Sequence, residues 1–249
     1  MDVATQVDQF PLTGAFLAGR LRHRLSHEDQ AHLESIAGQP HQLADGQTLL
    51  ARGQPPEHAH ILIDGFMFSA IEKAGERFVV GIHVPGDFVD LHAFALQRLD
   101  HDIVAAGPAR VARIEHGDLQ DILAKRPPLA EALWAATLLE AAIHRRWIRN
   151  LEALDAPRRI AHLFAELHCR LSMIGRNVTR ALRTPFTQSD LADMCGVSAI
   201  HANRAVGRLR DLGLAEIRRG DLYTSDWRAL KQYAGFDSEY LYGGIEPSS

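Results

Sequence analysis

The feature that most constrains this chain is a pair of short helix patterns separated by a glycine, between residues 187 and 211. Thr187 precedes the first pattern and Ser198 precedes the second, and both residue types commonly cap the N-terminus of a helix. Cys195-Gly196-Val197 lies between the two patterns and has the composition of a tight turn. Apolar or small residues at helical spacing predict a core shared by the two helices: Leu191, Ala192, Met194, Val197, Ala202, Val206 and Leu209.

A hairpin pattern follows these two helices directly. The segments AEIRR and LYTSD are typical of two short strands joined at Gly220-Asp221, with Arg218 and Arg219 near the tip. The order of helix, glycine turn, helix and hairpin predicts a winged helix-turn-helix. The alternative is a helical hairpin whose arginines are only solvated.

Charge is unevenly distributed along the chain. The whole sequence carries a net charge of -4, which by itself argues weakly against nucleic-acid binding. Residues 170–219 contain nine arginines against four acidic residues, so this segment carries about +5. A basic segment that contains a winged helix-turn-helix is typical of a domain that binds double-stranded DNA.

The second helix of such a motif lies in the major groove, where residues near its N-terminus reach the base edges. We expect Arg204 to bind guanine, because its planar guanidinium matches the two acceptors on the major-groove edge of that base. Asn203 could contact adenine or a phosphate and His201 a phosphate, but either could equally be a solvated surface residue. The predicted DNA-contacting residues are Thr187, Gln188, Ser198, Ala199, Ile200, His201, Asn203, Arg204, Arg208, Arg218 and Arg219.

The region before this motif shows two further patterns. From Leu43 to Ile114, short apolar runs alternate with glycine or proline turn signals, which predicts a small antiparallel barrel or jelly roll. Residues 129–154 contain no glycine or proline, which predicts one long helix that Pro127 and Pro128 can start. We therefore expect an α+β fold with three parts: a cupin-like antiparallel β-roll with an N-terminal helical segment (1–128), the long helix (129–154) and the winged helix-turn-helix domain (155–249).

Two stripes along the long helix could face a partner. One follows a 4-3 spacing through Leu133, Thr137, Glu140, His144, Trp147, Leu151 and Leu154, and its neighbour runs through Trp134, Ala141, Ile148 and Leu151. Such a stripe more often packs within its own domain than against a second chain. The DNA-binding pattern that follows favours a homodimer.

Three stretches of the sequence resemble the Crp/Fnr family of regulators. They are IDGFMFSA with VPGDFV in the predicted roll, NLEALDAPRRIAHL at the hinge that ends the long helix, and TQSDLADMCGVSAIHANRAVGRLRDLGL in the predicted helix-turn-helix. The likeness covers about residues 30 to 235. It implies an effector-sensing roll, a dimerisation helix and a DNA-binding domain, and thus a transcription regulator that binds an inverted repeat as a homodimer and contacts RNA polymerase.

The chain departs from the cyclic-AMP-sensing members of that family at the ligand site. Val89-Asp90 stands where those members have Gly-Glu, and His101-Asp102 stands where they have the arginine pair that binds the cyclic phosphate. An aspartate repels a phosphate and histidine lacks the bidentate fork of arginine, so we expect an unidentified small-molecule effector other than cyclic AMP, or none. By the same resemblance, the candidate effector contacts are Asp90, His101, His144 and Arg145, although Arg145 could instead pair with Glu152 or solvent.

The sequence predicts no cofactor or metal. Oxygen-sensing members of the family use an N-terminal cysteine cluster, whereas residues 1–168 contain no cysteine. The histidines of the predicted roll lack the spacing of haem or zinc ligands. The rival class is a cupin-like small-molecule-binding protein or metalloenzyme; its tightest cluster would be Glu57, His58 and His60, which follow Pro55-Pro56 and are expected in a loop.

The remaining composition limits where the protein can act. No run of the sequence is apolar for long enough to span a membrane, and the N-terminal stretch lacks a signal-peptide pattern. Cys169 and Cys195 form no CxxC pair. We expect a cytoplasmic protein without enzymatic activity or a membrane partner.

Overall fold

The computed structural model describes residues 7–176 and 178–243, so the outer limits of the first and last predicted domains, at 1 and 249, lie outside the described residues. A helix, α1 (His27–Ile36), precedes a five-stranded antiparallel sheet. The strands of this sheet are β1 (His41–Leu43), β2 (Thr48–Leu50), β3 (His58–Lys73), β4 (Glu76–His83) and β5 (Asp102–Glu115).

The two long strands form the centre of this sheet. The strand order is β1-β5-β3-β4, and β2 also pairs with β5. Strand β3 pairs with β5 from His58 opposite Glu115 to Ala70 opposite Asp102, with register shifts around Asp64. Such irregularities bend a strand and increase its twist, which suits a sheet that curls into a roll. The predicted antiparallel roll is confirmed.

The expectation that Glu57, His58 and His60 lie in a loop is wrong for the two histidines. His58 and His60 lie at the start of β3, where they alternate with the buried Ala59 and Ile61. This period of two is the strand signal, and the preceding proline pair conceals it because it marks a turn.

One short helix lies between β4 and β5 of the roll, and two further helices follow β5. They are α2 (Leu91–Leu96), α3 (His116–Lys125) and the long helix α4 (Pro127–Ala153). Helix α4 begins two residues before the predicted start because the first turn needs no N-H partner, so both prolines fit inside it. Helix α5 (Ala156–Met173) follows, and Asp155 caps it by accepting a hydrogen bond from the backbone N-H of Arg158 at 3.1 Å.

The two candidate stripes of α4 lie in different surroundings. Leu133 and Leu154 of the first stripe are buried, and Trp147 packs against the core of its own chain. Trp134 and Ile148 of the second stripe are each 67% exposed. The second stripe is therefore the one that the chain itself leaves uncovered.

The last part of the described chain is the predicted winged helix-turn-helix. It consists of β6 (Ala181–Leu182), α6 (Gln188–Cys195), α7 (Ala199–Asp211), β7 (Glu216–Arg218), β8 (Asp221–Tyr223) and α8 (Trp227–Ala234). The three strands form an antiparallel sheet in the order β6-β8-β7. Both hairpin strands are shorter than predicted because Arg219 and Gly220 form the turn.

The winged domain packs directly on the roll. The ring of Phe186, just before α6, lies 5.2 Å from that of Phe66 and 5.5 Å from that of Phe68, both on β3. Arg170 of α5 donates a hydrogen bond to the backbone oxygen of Ile82 on β4 at 3.0 Å. The roll and the winged domain therefore share one apolar core.

Candidate nucleic-acid interface

Helix α6 begins with a reciprocal cap. Thr187 Oγ1 accepts a hydrogen bond from the backbone N-H of Asp190 at 3.1 Å, and Asp190 Oδ2 accepts one from the backbone N-H of Thr187 at 2.7 Å. The helix ends at Gly196, whose φ of +60° is in the left-handed region. Thr187 and Gln188 are exposed at the start of α6, as expected for residues that could reach a phosphate.

Helix α7 has one buried and one exposed face. Ala202, Ala205 and Leu209 are buried, and Val197 and Val206 pack against the same core, which confirms the predicted core positions. The opposite face is open to solvent. Its exposed residues, together with the cap before it, are Ser198, Ala199, Ile200, His201, Asn203, Arg204 and Arg208.

The N-terminus of α7 is held by Ser198 and His201. Ser198 Oγ accepts a hydrogen bond from the backbone N-H of His201 at 3.3 Å and lies 2.8 Å from Nδ1 of the same histidine. This contact fixes the His201 ring along the helix end. Its Nε2 is left for a contact outside the helix.

Arg218 and Arg219, the two predicted arginines of the wing, lie in different surroundings. Arg218 Nε and Nη2 each donate a hydrogen bond to the carboxylate of Glu216 at 2.6 Å, and this arginine lowers the pKa of Glu216. Arg219 lies exposed at the tip with φ +53°. A Cβ at Gly220 would come within 2.3 Å of the backbone oxygen of Phe186, so the wing tip lies tightly under the start of α6 and requires glycine.

Arg183 is an exposed arginine beside the wing that sequence reasoning did not select as a candidate DNA contact. Its Nη1 donates hydrogen bonds to Asp221 Oδ2 at 2.6 Å and to the Tyr223 hydroxyl at 2.9 Å. The side chain is largely exposed and lies beside the wing because β6 pairs with β8. The local excess of arginine was visible in the sequence, but a strand of only two residues gives no readable pattern.

Three of the four candidate effector residues, Asp90, His101 and His144, lie close enough to His92 to influence its pKa, and the ring of His101 stacks on that of His92 at 5.3 Å. Asp90 is buried and its two oxygens face His60, at 2.7 Å from the backbone nitrogen and 2.6 Å from Nδ1. His101 and His144 approach each other, and burial first and then His101 lower the pKa of His144. Arg145 is exposed on α4.

Two histidines at the start of β3 lie beside carboxylates. His58 Nε2 lies 3.2 Å from Glu115 Oε1, beside the pair of His60 and Asp90. Within residues 7–176 and 178–243, no group of three or more His, Cys, Asp or Glu side chains is placed to hold a metal ion. None of the helices in this part of the chain is both long and apolar enough to cross a membrane.

Two family models match this architecture. The model of the cyclic nucleotide-binding domain matches residues 40–126, and that of the Crp-like helix-turn-helix domain matches residues 158–233. These ranges correspond to the roll and to the part of the chain from α5 to α8.

Whole proteins are similar to this chain over most of its length. The anaerobic regulatory protein of Haemophilus influenzae is 23% identical over 212 residues, which cover 85% of this chain and 82% of that protein. The fumarate and nitrate reduction regulatory protein of Shigella dysenteriae is 24% identical over 212 residues, covering 85% and 84% of the two chains. The solved structure of FixK2 from Bradyrhizobium japonicum has a TM-score of 0.72 at 18% identity and covers 80% of this chain and 98% of that one. With both domains matched in the family's order, the chain belongs to the Crp/Fnr family of transcription regulators, which are not enzymes.

Proposed function

We propose that the protein binds an inverted-repeat DNA site as a homodimer, with α7 of each copy in one major groove. The observation that carries this proposal is the open face of α7, where Asn203 and Arg204 are exposed while Ala202 and Leu209 anchor the helix from behind. The two helices of a dimer would enter successive grooves about 34 Å apart. Half-sites one helical turn apart follow from this spacing.

The proposed roles of the interface residues differ. Arg204 binds guanine through its planar fork, and Ile200, which is 67% exposed, packs against a thymine methyl group. Arg208 and Arg219 bind phosphates, as do the polar groups at the start of α6. Arg218 contributes less than Arg219 because Glu216 already neutralises it.

The proposed dimer interface is the uncovered stripe of α4. Leu138 and Arg145 lie on the same face as Trp134, Ala141 and Ile148 of this stripe, and the five residues together follow a 4-3-4-3 spacing. Trp134, Leu138 and Ile148 are 67%, 52% and 67% exposed, which is unusual for large apolar side chains in a lone chain. Burial of these side chains against a second copy would remove them from water.

We further propose that the regulator acts in the cytoplasm, contacts RNA polymerase and responds to an effector other than cyclic AMP. The roll supports the last point, because its interior is filled with apolar side chains and His101-Asp102 stands in place of the phosphate-binding arginine pair. The interior cluster is formed by Leu62, Met67, Val89, Leu99 and Ile103. The domains would divide at 1–128, 129–154 and 155–249.

Selection of bound DNA from a random library tests the proposal as a whole. We expect enrichment of an inverted repeat whose half-sites are one helical turn apart. A Trp134→Glu variant should lose the inverted-repeat preference because it cannot dimerise, whereas an exposed control outside the stripe, Leu123→Glu, should keep it. Enrichment of single, unpaired half-sites by the wild-type protein would contradict the homodimer.

A further inference from the structure

A cavity of about 60 Å³ lies where β4, α4 and α5 meet residues 15–20, the N-terminal segment. Its apolar wall includes Phe16, Leu91, Ile143 and Ile174. Its titratable lining residues are Arg20, His83, Asp87, Glu140, His144 and Arg170. Of these residues only His144 belongs to the effector contacts that the family resemblance predicts.

Arg170 is already neutralised within this cavity wall. Its Nη2 pairs with Asp87 Oδ2, and its Nη1 lies 3.5 Å from Glu166 Oε1. Asp87 also accepts a hydrogen bond from the backbone N-H of Val84 at 2.8 Å. The carboxylate of Asp87 on the cavity wall therefore already binds Arg170 and the backbone.

Arg20 has no comparable partner. Its Nε–H group is buried and donates no hydrogen bond within residues 7–176 and 178–243, although the residue as a whole is half-buried. The carboxylates of Asp87 and Glu166 pair with Arg170 instead. Burial lowers the pKa of the Arg20 guanidinium; the charge of Asp87 opposes this effect, and the charge of Arg170 adds to it. A buried N–H group without a hydrogen-bond partner carries a desolvation cost, which an anion bound beside it would offset.

The other titratable groups of the cavity do not supply that anion. Burial raises the pKa of Glu140 to about 7, so its carboxyl group is only partly ionised at neutral pH. Burial lowers the pKa of both His83 and His144, which keeps these rings neutral. Arg170 is thus paired with carboxylates through its Nη groups and Arg20 is not, while the buried Nε–H groups of both arginines lack a hydrogen-bond partner within residues 7–176 and 178–243.

We propose that this cavity binds a short-chain monocarboxylate, with the carboxylate on Arg20 and the alkyl part against Phe16, Ile143 and Ile174. A single water needs roughly 10 to 15 Å³ by the same measure, so the cavity has room for about four to six non-hydrogen atoms. A cyclic nucleotide is far larger than that. The mainly apolar wall favours a carboxylate with a short alkyl chain over inorganic phosphate.

Such a ligand would connect the roll to the DNA-binding half of the chain. Arg20 belongs to the N-terminal segment, whereas Arg170, Met173 and Ile174 of the same cavity belong to α5 and its C-terminus. The bound carboxylate would relieve the repulsion between Arg20 and Arg170. It would thereby hold α5 against the roll.

Calorimetric titration of the full chain with propionate in a chloride buffer tests this site, and no DNA is needed. We expect the wild-type protein to bind propionate with a dissociation constant between about 10 µM and about 1 mM, as the small size of the ligand allows. Arg20→Gln should weaken binding about 10- to 100-fold, the usual effect of losing a hydrogen bond to a charged group. Arg24→Gln is the matched control, since Arg24 is an exposed arginine just beyond the same segment, and it should bind propionate as the wild type does.

Thermal melting in chloride alone shows whether Arg20→Gln still folds, and Arg20→Lys keeps the charge while removing the planar fork. If Arg20→Gln melts cooperatively, its loss of propionate binding supports the site, as does an intermediate affinity for Arg20→Lys. No binding by the wild type, equal binding by Arg20→Gln, or binding of inorganic phosphate in preference to propionate would overturn it. Since the measurement omits DNA, each of these outcomes leaves the proposed DNA-reading role untouched.

Discussion

Arg77, at the start of β4, donates two hydrogen bonds to Asp193 on α6, from Nε at 2.9 Å and from Nη2 at 2.7 Å. The same guanidinium pairs with Asp190, the residue that completes the cap of α6. A side chain of the roll thus holds the first helix of the DNA-binding motif. Desolvation opposes the charge on Arg77, but both aspartates together raise its pKa.

Arg77→Gln should therefore loosen the winged domain from the roll. The pair is partly open to solvent, with side-chain exposures of 34% for Arg77 and 21% for Asp193, so we expect a loss of about 1 kcal/mol in the free energy of unfolding. Urea denaturation measures this loss. Arg52→Gln, at an exposed arginine of the roll, should leave the midpoint unchanged, and an equal shift in both variants would refute the coupling.

Replacement of Arg204 and of Arg219 should separate base reading from phosphate binding. Arg204→Ala should cost about 1 to 3 kcal/mol of binding free energy and relax the preference at one base position of each half-site. Arg219→Ala should weaken binding to all sequences alike and reduce the dependence on salt. Fluorescence anisotropy measures the affinity of each protein variant for the selected DNA site and for single-base variants of that site, and so distinguishes base reading from phosphate binding. Unchanged base preference in Arg204→Ala would show that its assignment is wrong.

Arg145 gives a separate test of the proposed dimer. It lies between Ala141 and Ile148 in the uncovered stripe of α4, so two copies would bring two arginines together there. Arg145→Leu should lower the dissociation constant of the dimer, because it removes a charged group from an otherwise apolar interface. Sedimentation equilibrium measures the change in the dimer dissociation constant. Weaker dimerisation would place Arg145 in a favourable contact instead.

His83 should make the protein sensitive to acid. Burial, reinforced by the charge of Arg170 and opposed by Asp87, lowers the pKa of His83 to about 3. Because this pKa lies below the unfolded value of about 6.5, the neutral ring stabilises the fold above pH 6.5, and this stability is lost as the pH falls towards 3.

At pH 5 this loss should amount to about 2 kcal/mol. His83→Gln keeps a hydrogen-bonding group near Ser69 Oγ, which lies 2.9 Å from His83 Nε2, and cannot titrate. We expect urea midpoints of the variant to fall less than those of the wild type between pH 7 and pH 5. If the urea midpoints of the two proteins fell equally between pH 7 and pH 5, His83 would be excluded as the source of the acid sensitivity.

The sequence predicts the local structure of the DNA-binding motif well, because caps and turns depend on neighbouring residues. Thr187, Ser198 and Asp155 cap the expected helices, and Gly196 forms the expected turn. Arg204 is exposed on the face of α7 where a base contact requires it. Its role in DNA binding remains a prediction.

Contacts between distant parts of the chain could not be predicted in the same way. Arg77 and Asp193 are 116 residues apart, and nothing in either local pattern marks them as partners. The 4-3 spacing of α4 fits two neighbouring stripes equally well, and only the position of the roll decides which one is covered. The unpaired Nε–H of Arg20 likewise depends on the way four segments of the chain meet.

Methylation interference on the selected DNA site tests the central claim most directly, because methyl groups on guanine N7 block the major-groove edge that Arg204 is proposed to read. We expect two clusters of interfering guanines about one helical turn apart, and we expect Arg204→Ala to lose one guanine from each cluster. Interference confined to adenine N3 in the minor groove, or a single cluster of guanines, would contradict the proposed dimer with two reading helices.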